Sequence, residues 1–240
     1  MRLLTFSAFI LMVAILHPIE AQQKTEPQFK LVEFHMALLK RGPQWTAAQT
    51  PEMKKLHDQH FAYFAGLIES GKAVMGGPFV DDGDIRGIYV LRPTPTGKEG
   101  AANEARAWAE ADPAVKAGHF AIEMHPWWSE EVMKKASTPI KLTTAYLGFL
   151  SRGAKWTPEK TPQTEELQKA HMANINKLAE MKKLVAAGPF GDNGTLRGIF
   201  VFKVGSLEEA RQLAETDPAV QAGRLVIDMH QWLVPEGILP

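Results

Sequence analysis

The chain has 240 residues, of which 27 are basic and 27 acidic, so its formal net charge is zero. A surface that binds nucleic acid needs an excess of basic residues, and this balance argues against DNA or RNA as the main partner. The chain has no cysteine, which excludes disulfide bonds and cysteine nucleophiles. Its length fits one large domain or two small ones.

The first 21 residues are typical of a secretory signal peptide. Arg2 provides a positive start, the run from Leu3 to Leu16 is almost wholly apolar, and the small residue Ala21 follows the break at His17-Pro18. The alternative is a membrane anchor, but the run is shorter than the roughly 20 apolar residues that span a bilayer. We therefore expect cleavage after Ala21, no stable membrane anchor afterwards, and an exported protein that is periplasmic or secreted.

The next part of the chain predicts six elements in the order β-α-β-β-α-β, which is the order of a ferredoxin-like unit. Thr50-Pro51 indicates a helix start, with Thr50 as the N-cap and Pro51 at the first helical position. Asp82-Gly83 indicates the turn of a hairpin. The predicted elements are strands over 29–40, 73–79, 85–91 and 119–127, and helices from Pro51 to about Ser70 and over 103–111.

The second half of the chain repeats the first. The stretch from Trp45 to Arg92 aligns without a gap with the stretch from Trp156 to Lys203, and about 20 of 48 positions are identical. The second copy predicts strands over 142–150, 185–190, 196–202 and 224–233, with helices that start after Thr161 and after Ser206. Ser206 and Glu209 indicate a capping box. The first copy has about six extra residues, which we expect in a surface loop over 93–100.

These patterns predict an α+β protein with a repeat over 29–128, a linker over 129–139 and a second repeat over 140–234. A four-stranded sheet that carries both helices on one face leaves its other face bare, and that face must be buried. We expect the two sheets to pack against each other, as a pseudo-dimeric α+β barrel within one chain. A homo-oligomer of this duplicated chain stays open.

Each repeat resembles the YCII-related (YciI-like) domain. The resemblance rests on the helical histidine, on Gly77-Pro78 and its copy Gly188-Pro189, and on the Asp-Pro-x-Val-x-Ala-Gly turns that begin at Asp112 and Asp217. The resemblance implies a dimeric α+β barrel. It also implies a His–Asp active-site pair, which here would be His60 with Asp112 and His171 with Asp217. One relative is a dehydrochlorinase of a chlorinated hydroquinone.

The two helical histidines have two interpretations. His60 is four residues from both Leu56 and Phe64, so it lies on or beside the apolar side of its helix, and His171 is placed likewise. A buried imidazole needs a hydrogen-bond partner, and a histidine here could simply be a satisfied core residue. A carboxylate on one ring nitrogen would instead leave the other nitrogen as a general base. Asp112 and Asp217 could equally act as helix N-caps, and both roles can coexist only if one oxygen is spare.

Four further residues are candidates for ligand binding. Arg86 and Arg197 could hold an anionic ligand through their planar guanidinium groups, although salt bridges to Asp81 and Asp192 are the alternative. The pair of tryptophans at the start of the aligned stretch, Trp45 and Trp156, could wall a pocket or anchor the loop.

The remaining histidines point to no metal or cofactor site. His125 and His230 each lie two residues from a carboxylate on a strand, but two ligands per repeat fall short of a metal site. His35, His57 and His119 have no histidine counterpart and are interpreted as surface or packing residues. The chain also lacks nucleotide-binding glycine motifs and a Ser-His-Asp pattern, so we expect no cofactor.

We therefore expect an exported protein with a small-molecule pocket in each repeat. Any chemistry would be cofactor-free acid–base work of the lyase or isomerase type, with His60 or His171 as the base. The alternative is a non-catalytic ligand-binding or structural module of the cell envelope. That alternative predicts histidines that are packed and dry, with no pocket beside them.

Overall fold

A computed structural model describes residues 30–94 and 97–240. The predicted signal peptide lies outside these residues. Across the described ranges, no helix is both long enough and apolar enough to cross a membrane.

The chain forms two units with the same order of elements. Each unit has a four-stranded antiparallel sheet, in the order β2-β3-β1-β4 in unit 1 and β6-β7-β5-β8 in unit 2. Unit 1 consists of β1 (Leu31–Arg41), α1 (Pro51–Glu69), β2 (Ala73–Pro78), β3 (Ile85–Leu91), α2 (Lys98–Glu110), α3 (Pro113–Lys116) and β4 (Phe120–Glu130). Unit 2 consists of β5 (Leu142–Arg152), α4 (Pro162–Glu180), β6 (Leu184–Pro189), β7 (Leu196–Phe202), α5 (Leu207–Ala214), α6 (Pro218–Gln221) and β8 (Leu225–Pro235). The predicted ferredoxin-like order is confirmed.

The main hydrophobic core lies between the two sheets. Strand residues alternate in direction, and the inward-facing side chains of both sheets form one buried cluster, which includes Met36 and Trp127 of unit 1 and Leu147 and Trp232 of unit 2. The opposite face of each sheet packs against the helices of its own unit in a separate cluster. The expected packing of sheet against sheet is therefore confirmed.

The two sheets also join at their edges, where β2 meets β8 and β4 meets β6. An indole closes each joint, because Trp232 Nε1 donates to Gly77 O and Trp127 Nε1 donates to Gly188 O, both at 3.1 Å. These contacts close the two sheets into a barrel and cover sheet edges that would otherwise be exposed.

The glycines of the two Gly-Pro motifs are required at these joints. A Cβ atom at Gly77 would lie 1.9 Å from Leu233 O, and one at Gly188 would lie 1.8 Å from Trp128 O. Gly77 also has a φ of 142°, which residues with a side chain rarely adopt. The motif therefore permits close contact between the units.

Three local expectations were only partly right. Helix α2 begins at Lys98, inside the loop expected over 93–100, and has 13 residues, against 8 in α5. Strands β4 and β8 run beyond their predicted ends, because β1 and β5 are long enough to pair with them as far as Glu130 and Pro235. At α5, Ser206 accepts the Glu209 N–H as expected, but the Glu209 carboxylate accepts the N–H of Gly205.

Candidate functional site

Helix α1 places His60 directly against a buried carboxylate. The helix buries Phe64 and Leu67, and His60 lies one turn before Phe64 on the same side. His60 Nδ1 is 2.8 Å from Asp112 Oδ2; the Asp112 side chain is 0% exposed and that of His60 is 23% exposed. The structure therefore brings together the pair that the family resemblance implied.

Asp112 caps helix α3 with its other oxygen. Its Oδ1 accepts the N–H of Ala114 at 2.7 Å, while its Oδ2 also accepts the hydroxyl of Tyr89 at 2.5 Å. Burial alone would raise the pKa of Asp112, but the hydrogen bonds from His60, Tyr89 and Ala114 outweigh it and hold that pKa below its usual value. Capping and pairing thus coexist, and Asp112 is a carboxylate at neutral pH.

These contacts fix the tautomer of neutral His60. An ionised carboxylate only accepts hydrogen bonds, so the His60 nitrogen facing it, Nδ1, carries the proton. The Nε2 atom then has a free lone pair. Burial and the charge of Asp112 raise the pKa of Tyr89 well above its usual value, so Tyr89 stays a phenol that donates to Asp112. Tyr89 was not singled out from the sequence, because its counterpart is Phe200.

His60 borders a cavity of about 240 Å³ in unit 1. The cavity lies between helix α1 and the sheet, and aromatic side chains form much of its wall. Its lining residues are Leu39, Trp45, His57, His60, Phe61, Phe64, Gly77, Pro78, Phe79, Arg86, Gly87, Tyr89 and Phe120. Three of the residues predicted from the sequence, Trp45, His60 and Arg86, therefore meet at one pocket.

Two histidines that sequence reasoning set aside belong to this region. His57 lines the cavity, and its Nε2 lies 3.2 Å from His119 Nε2. The ring of Trp45 stacks on His119 with 4.5 Å between centroids. Burial, followed by the charge of neighbouring histidines that include His60, lowers the pKa of both His57 and His119. The only sequence signal was that His57 lies three residues before His60, on the same side of α1.

Unit 2 keeps the His–Asp pair but changes its surroundings. His171 Nδ1 is 2.7 Å from Asp217 Oδ2, and Asp217 Oδ1 caps α6 by accepting the N–H of Ala219 at 2.8 Å. Phe200 stacks on His171 where unit 1 has Tyr89. Gln168 and Arg224 occupy the positions of His57 and His119. A second, smaller cavity of about 50 Å³ is lined by residues of β5, β8 and the C-terminal segment, and not by His171.

The salt bridges of Arg86 and Arg197 to Asp81 and Asp192, the alternative to ligand binding, are not formed. Arg86 donates to the backbone oxygen of Asp81, and Arg197 donates to the backbone oxygen of Asp192 at 3.1 Å. The two carboxylates are occupied by histidines of the opposite unit. Each arginine instead lies over a tryptophan, Arg86 at 5.3 Å from the Trp45 centroid and Arg197 at 4.9 Å from that of Trp156.

Histidines in the middle of β4 and β8 contact aspartates of the opposite unit. His125 Nδ1 lies 2.6 Å from Asp192 Oδ2, and His230 Nδ1 lies 2.9 Å from Asp81 Oδ2. The second ring nitrogen of His125 faces Glu123 at 3.0 Å. Within the described ranges, no group of three or more His, Asp or Glu side chains is arranged to hold a metal ion. These histidines thus link the two units.

Comparison with known proteins agrees with this duplicated architecture. The YCII-related domain matches residues 33–127 and again residues 152–230. The chain belongs to the YCII-related domain family. A bacterial relative, the uncharacterized protein YjpA of Bacillus subtilis (strain 168), is 32% identical over 76 residues, which cover 30% of this chain and 87% of YjpA.

Solved structures share the fold of both units together. A heme-binding protein from Thermus thermophilus has a TM-score of 0.51 and 14% identity, covering 88% of this chain and 93% of its own. A mutant chlorite dismutase from Candidatus Nitrospira defluvii has a TM-score of 0.52 and 11% identity, covering 85% and 92%. At such identities the likeness shows the fold alone, a dimeric α+β barrel within one YCII-related chain.

The pocket of this YCII-related protein does not fit a haem. Pockets for drug-sized ligands hold about 300–1,000 Å³, and a haem is no smaller than such ligands. The cavity beside His60 holds about 240 Å³, and aromatic side chains border it closely.

Proposed function

We propose that unit 1 binds a small aromatic or cyclic molecule and that His60 acts on it as a general base, without a cofactor. The proposal rests on the two contacts of the Asp112 carboxylate: one oxygen caps α3, and the other contacts His60. The cap fixes the carboxylate, the carboxylate fixes the ring, and the ring borders a cavity. A base must be held in place and in the correct tautomer before it can remove a proton efficiently.

The lining of the cavity supports a small ligand with a flat apolar face. Trp45, Phe61, Phe64, Phe79 and Phe120 are all aromatic, and aromatic walls are a common feature of small-molecule pockets. The volume of about 240 Å³ limits the ligand to the size of a single substituted ring. A cavity beside His60 also favours a binding role for unit 1 over a purely structural one.

The proposed step is a proton transfer from carbon. Nε2 of neutral His60 takes a proton from an acidic C–H bond of the ligand, and the electron pair remains on the ligand as an enolate or leaves with a departing group. Asp112 stabilises the imidazolium that results, because its charge lies 2.8 Å from Nδ1. Return of the proton to another carbon gives an isomerase, and loss of the leaving group gives a lyase.

Isotope exchange tests this proposal without knowledge of the natural substrate. Single-ring ketones, phenols and cyclic enones would first be screened for binding by ligand-observed NMR. Binders would then be incubated with the protein in D₂O, and deuterium incorporation at carbon would be followed by mass. We expect exchange with the wild type and with His171→Gln, and a loss of at least about 100-fold in His60→Gln, the usual scale of general-base catalysis.

This experiment distinguishes catalysis by His60 from ligand binding without catalysis. Exchange that persists in His60→Gln would contradict the role of His60. Ligands that bind at the pocket, as judged by shifts of the Trp45 indole signal, but never exchange would identify unit 1 as a non-catalytic binding module.

We further propose that the protein is exported through residues 1–21. The basis is the sequence pattern of a charged start, an apolar run and the small residue Ala21. Fractionation and N-terminal sequencing of the protein from its own cells test this. A mature chain that begins at Gln22 outside the cytoplasm supports export, and a cytoplasmic chain that retains residues 1–21 contradicts it.

A further inference from the structure

Three arginines of unit 2 surround one tryptophan. The guanidinium carbons of Arg152, Arg197 and Arg224 lie 5.4, 4.9 and 4.4 Å from the centroid of the Trp156 ring. Arginine over a tryptophan face is attracted by the ring, but three like charges around one ring also repel one another. Burial and then the charge of Arg152 lower the pKa of Arg197; the charge of Asp192 opposes this shift, and that of Arg224 adds to it. The cluster therefore concentrates positive charge at one place.

Within the protein these arginines donate their hydrogen bonds to uncharged oxygens. Arg152 donates to the backbone oxygen of Asn193, Arg197 to that of Asp192, and Arg224 to the oxygens of Thr157. Among the described residues, no carboxylate lies within 4.0 Å of any of the three guanidinium groups. The nearby Asp192 carboxylate contacts His125 with Oδ2 and accepts the Gly194 N–H with Oδ1.

Unit 1 neutralises the corresponding cluster and so provides a matched comparison. There Arg41 lies 2.6 Å from Asp82 Oδ1, and Arg86 lies 3.8 Å from the same atom. At the position of Asp82, unit 2 has Asn193, and at the position of His119 it has Arg224. Unit 2 has therefore lost one negative charge and gained one positive charge around its tryptophan.

We propose that the Trp156 cluster of unit 2, formed by Arg152, Arg197 and Arg224, is a binding site for a small oxyanion, the carboxylate or phosphate group of a small molecule. Guanidinium groups match these oxyanions because their planar N–H donors form paired, charge-assisted hydrogen bonds. The Trp156 ring offers a flat surface for the rest of the ligand. A small ligand is favoured over nucleic acid because the charge is confined to this cluster in a chain of zero formal net charge.

The site does not depend on the proposed chemistry of unit 1. Its residues come from β5, the loop after β5, β7 and the position just before β8, and none of them lines the cavity beside His60. Failure of His60 as a base would thus leave the anion site standing, and failure of anion binding would leave the unit 1 proposal standing.

Titration of the mature protein with sodium phosphate, and separately with sodium benzoate, tests the site. The indole N–H signal of Trp156, assigned with Trp156→Phe, would be followed by NMR at low ionic strength, with sodium chloride added to match the salt. We expect a saturable shift with at least one of the two anions and none with chloride at the same ionic strength. A response to benzoate alone identifies a carboxylate site, and a response to phosphate alone identifies a phosphate site.

The decisive variant replaces Asn193 of unit 2 by aspartate, the residue that unit 1 has at the equivalent position 82. Asn193→Asp places a carboxylate where Asp82 neutralises its arginines, and position 193 is exposed between β6 and β7, so folding is preserved. We expect affinity to fall at least about tenfold, the scale of one charged hydrogen bond, while the control Asn193→Ser stays within about twofold. Absence of any saturable shift, or an unchanged affinity in Asn193→Asp, would overturn the proposal.

Discussion

Asp112 contacts His60 through one carboxylate oxygen and leaves the other oxygen to cap helix α3. Oδ2 lies 2.8 Å from His60 Nδ1, and Oδ1 accepts the backbone N–H of Ala114 at 2.7 Å. The same division occurs in unit 2 between Asp217 and His171. The aspartate that caps a short helix thus also positions a histidine.

Asp112→Asn should make the protein less stable in a pH-dependent way. The folded-state pKa of Asp112 is below its usual value, so its ionised form contributes stability above the unfolded pKa of about 3.9 and loses it as pH falls through the folded pKa. We expect a loss of about 1–3 kcal/mol at pH 7, measured by urea unfolding. The difference from wild type should shrink as pH falls below 4. An equal difference at pH 7 and pH 3 would show that the charge of Asp112 is irrelevant.

Tyr89→Phe should be mild, because unit 2 already has phenylalanine at this position. The change removes the hydroxyl that donates to Asp112 Oδ2, but His60 and Ala114 still satisfy the carboxylate. We expect a loss of about 0.5–1.5 kcal/mol at pH 7, well below that of Asp112→Asn, in the same unfolding assay. A loss as large as that of Asp112→Asn would mean that Tyr89, and not His60, is the main partner of Asp112.

Gly77→Ala and Gly188→Ala should both separate the two units. Each added Cβ would lie less than 2.0 Å from a backbone oxygen of the other unit, so β8 or β4 must move. We expect a loss of at least about 2 kcal/mol from each change. Gly66→Ala is the control, because nothing lies within 4 Å of its Cβ. In the interior of α1 this change should stabilise by about 0.5–1 kcal/mol. Equal effects at the three positions would contradict the tight joint.

The His57–His119 contact should make the fold sensitive to mild acid. Burial and then the charge of His60 lower the pKa of His57 against the opposing charge of Asp58. Burial with the charges of His57 and His60 lowers the pKa of His119. Folding then disfavours their protonation. The contribution of these two histidines to folding stability is therefore fully present above the pKa of histidine in the unfolded chain, about 6.5. It is lost as the pH falls through their pKa values in the folded protein.

His57→Gln, which introduces the residue of unit 2, should flatten this dependence. The test is thermal unfolding between pH 7 and pH 5, with His171→Gln as a control outside the contact. A wild-type protein whose melting temperature falls no more steeply than that of His57→Gln would contradict the account.

The repeat made the architecture predictable from the sequence. Because both halves carry the same order of elements, and because Thr50-Pro51 and Thr161-Pro162 start their long helices, the ferredoxin-like units and their sheet-to-sheet packing could be predicted. The extra residues of the first copy were harder to place, since the prolines and glycines of residues 93–100 indicate a loop, whereas α2 already begins at Lys98 and includes Gly100.

The site was predictable only in part. His60 and Asp112 recur in the second copy and could be paired through the family. Tyr89 and His57 do not recur in the second copy, so comparison of the two copies did not identify them as site residues. The partner of Asp81 is His230, 149 residues away and in the other unit, and no local pattern predicts a contact at that distance. Arg86 is close to Asp81 in the sequence and was considered as the partner of its carboxylate, but that interpretation was wrong.

The tautomer of His60 tests the central claim most directly. Long-range ¹H–¹⁵N NMR of the imidazole rings, at a pH where they are neutral and with His60→Gln for assignment, distinguishes a protonated nitrogen from one with a free lone pair. The account predicts a proton on Nδ1 of His60 and a free Nε2, and a shift of that preference towards Nε2–H in Asp112→Asn. A wild-type His60 that carries its proton on Nε2 would have no base to offer the cavity, and the proposed chemistry would be contradicted.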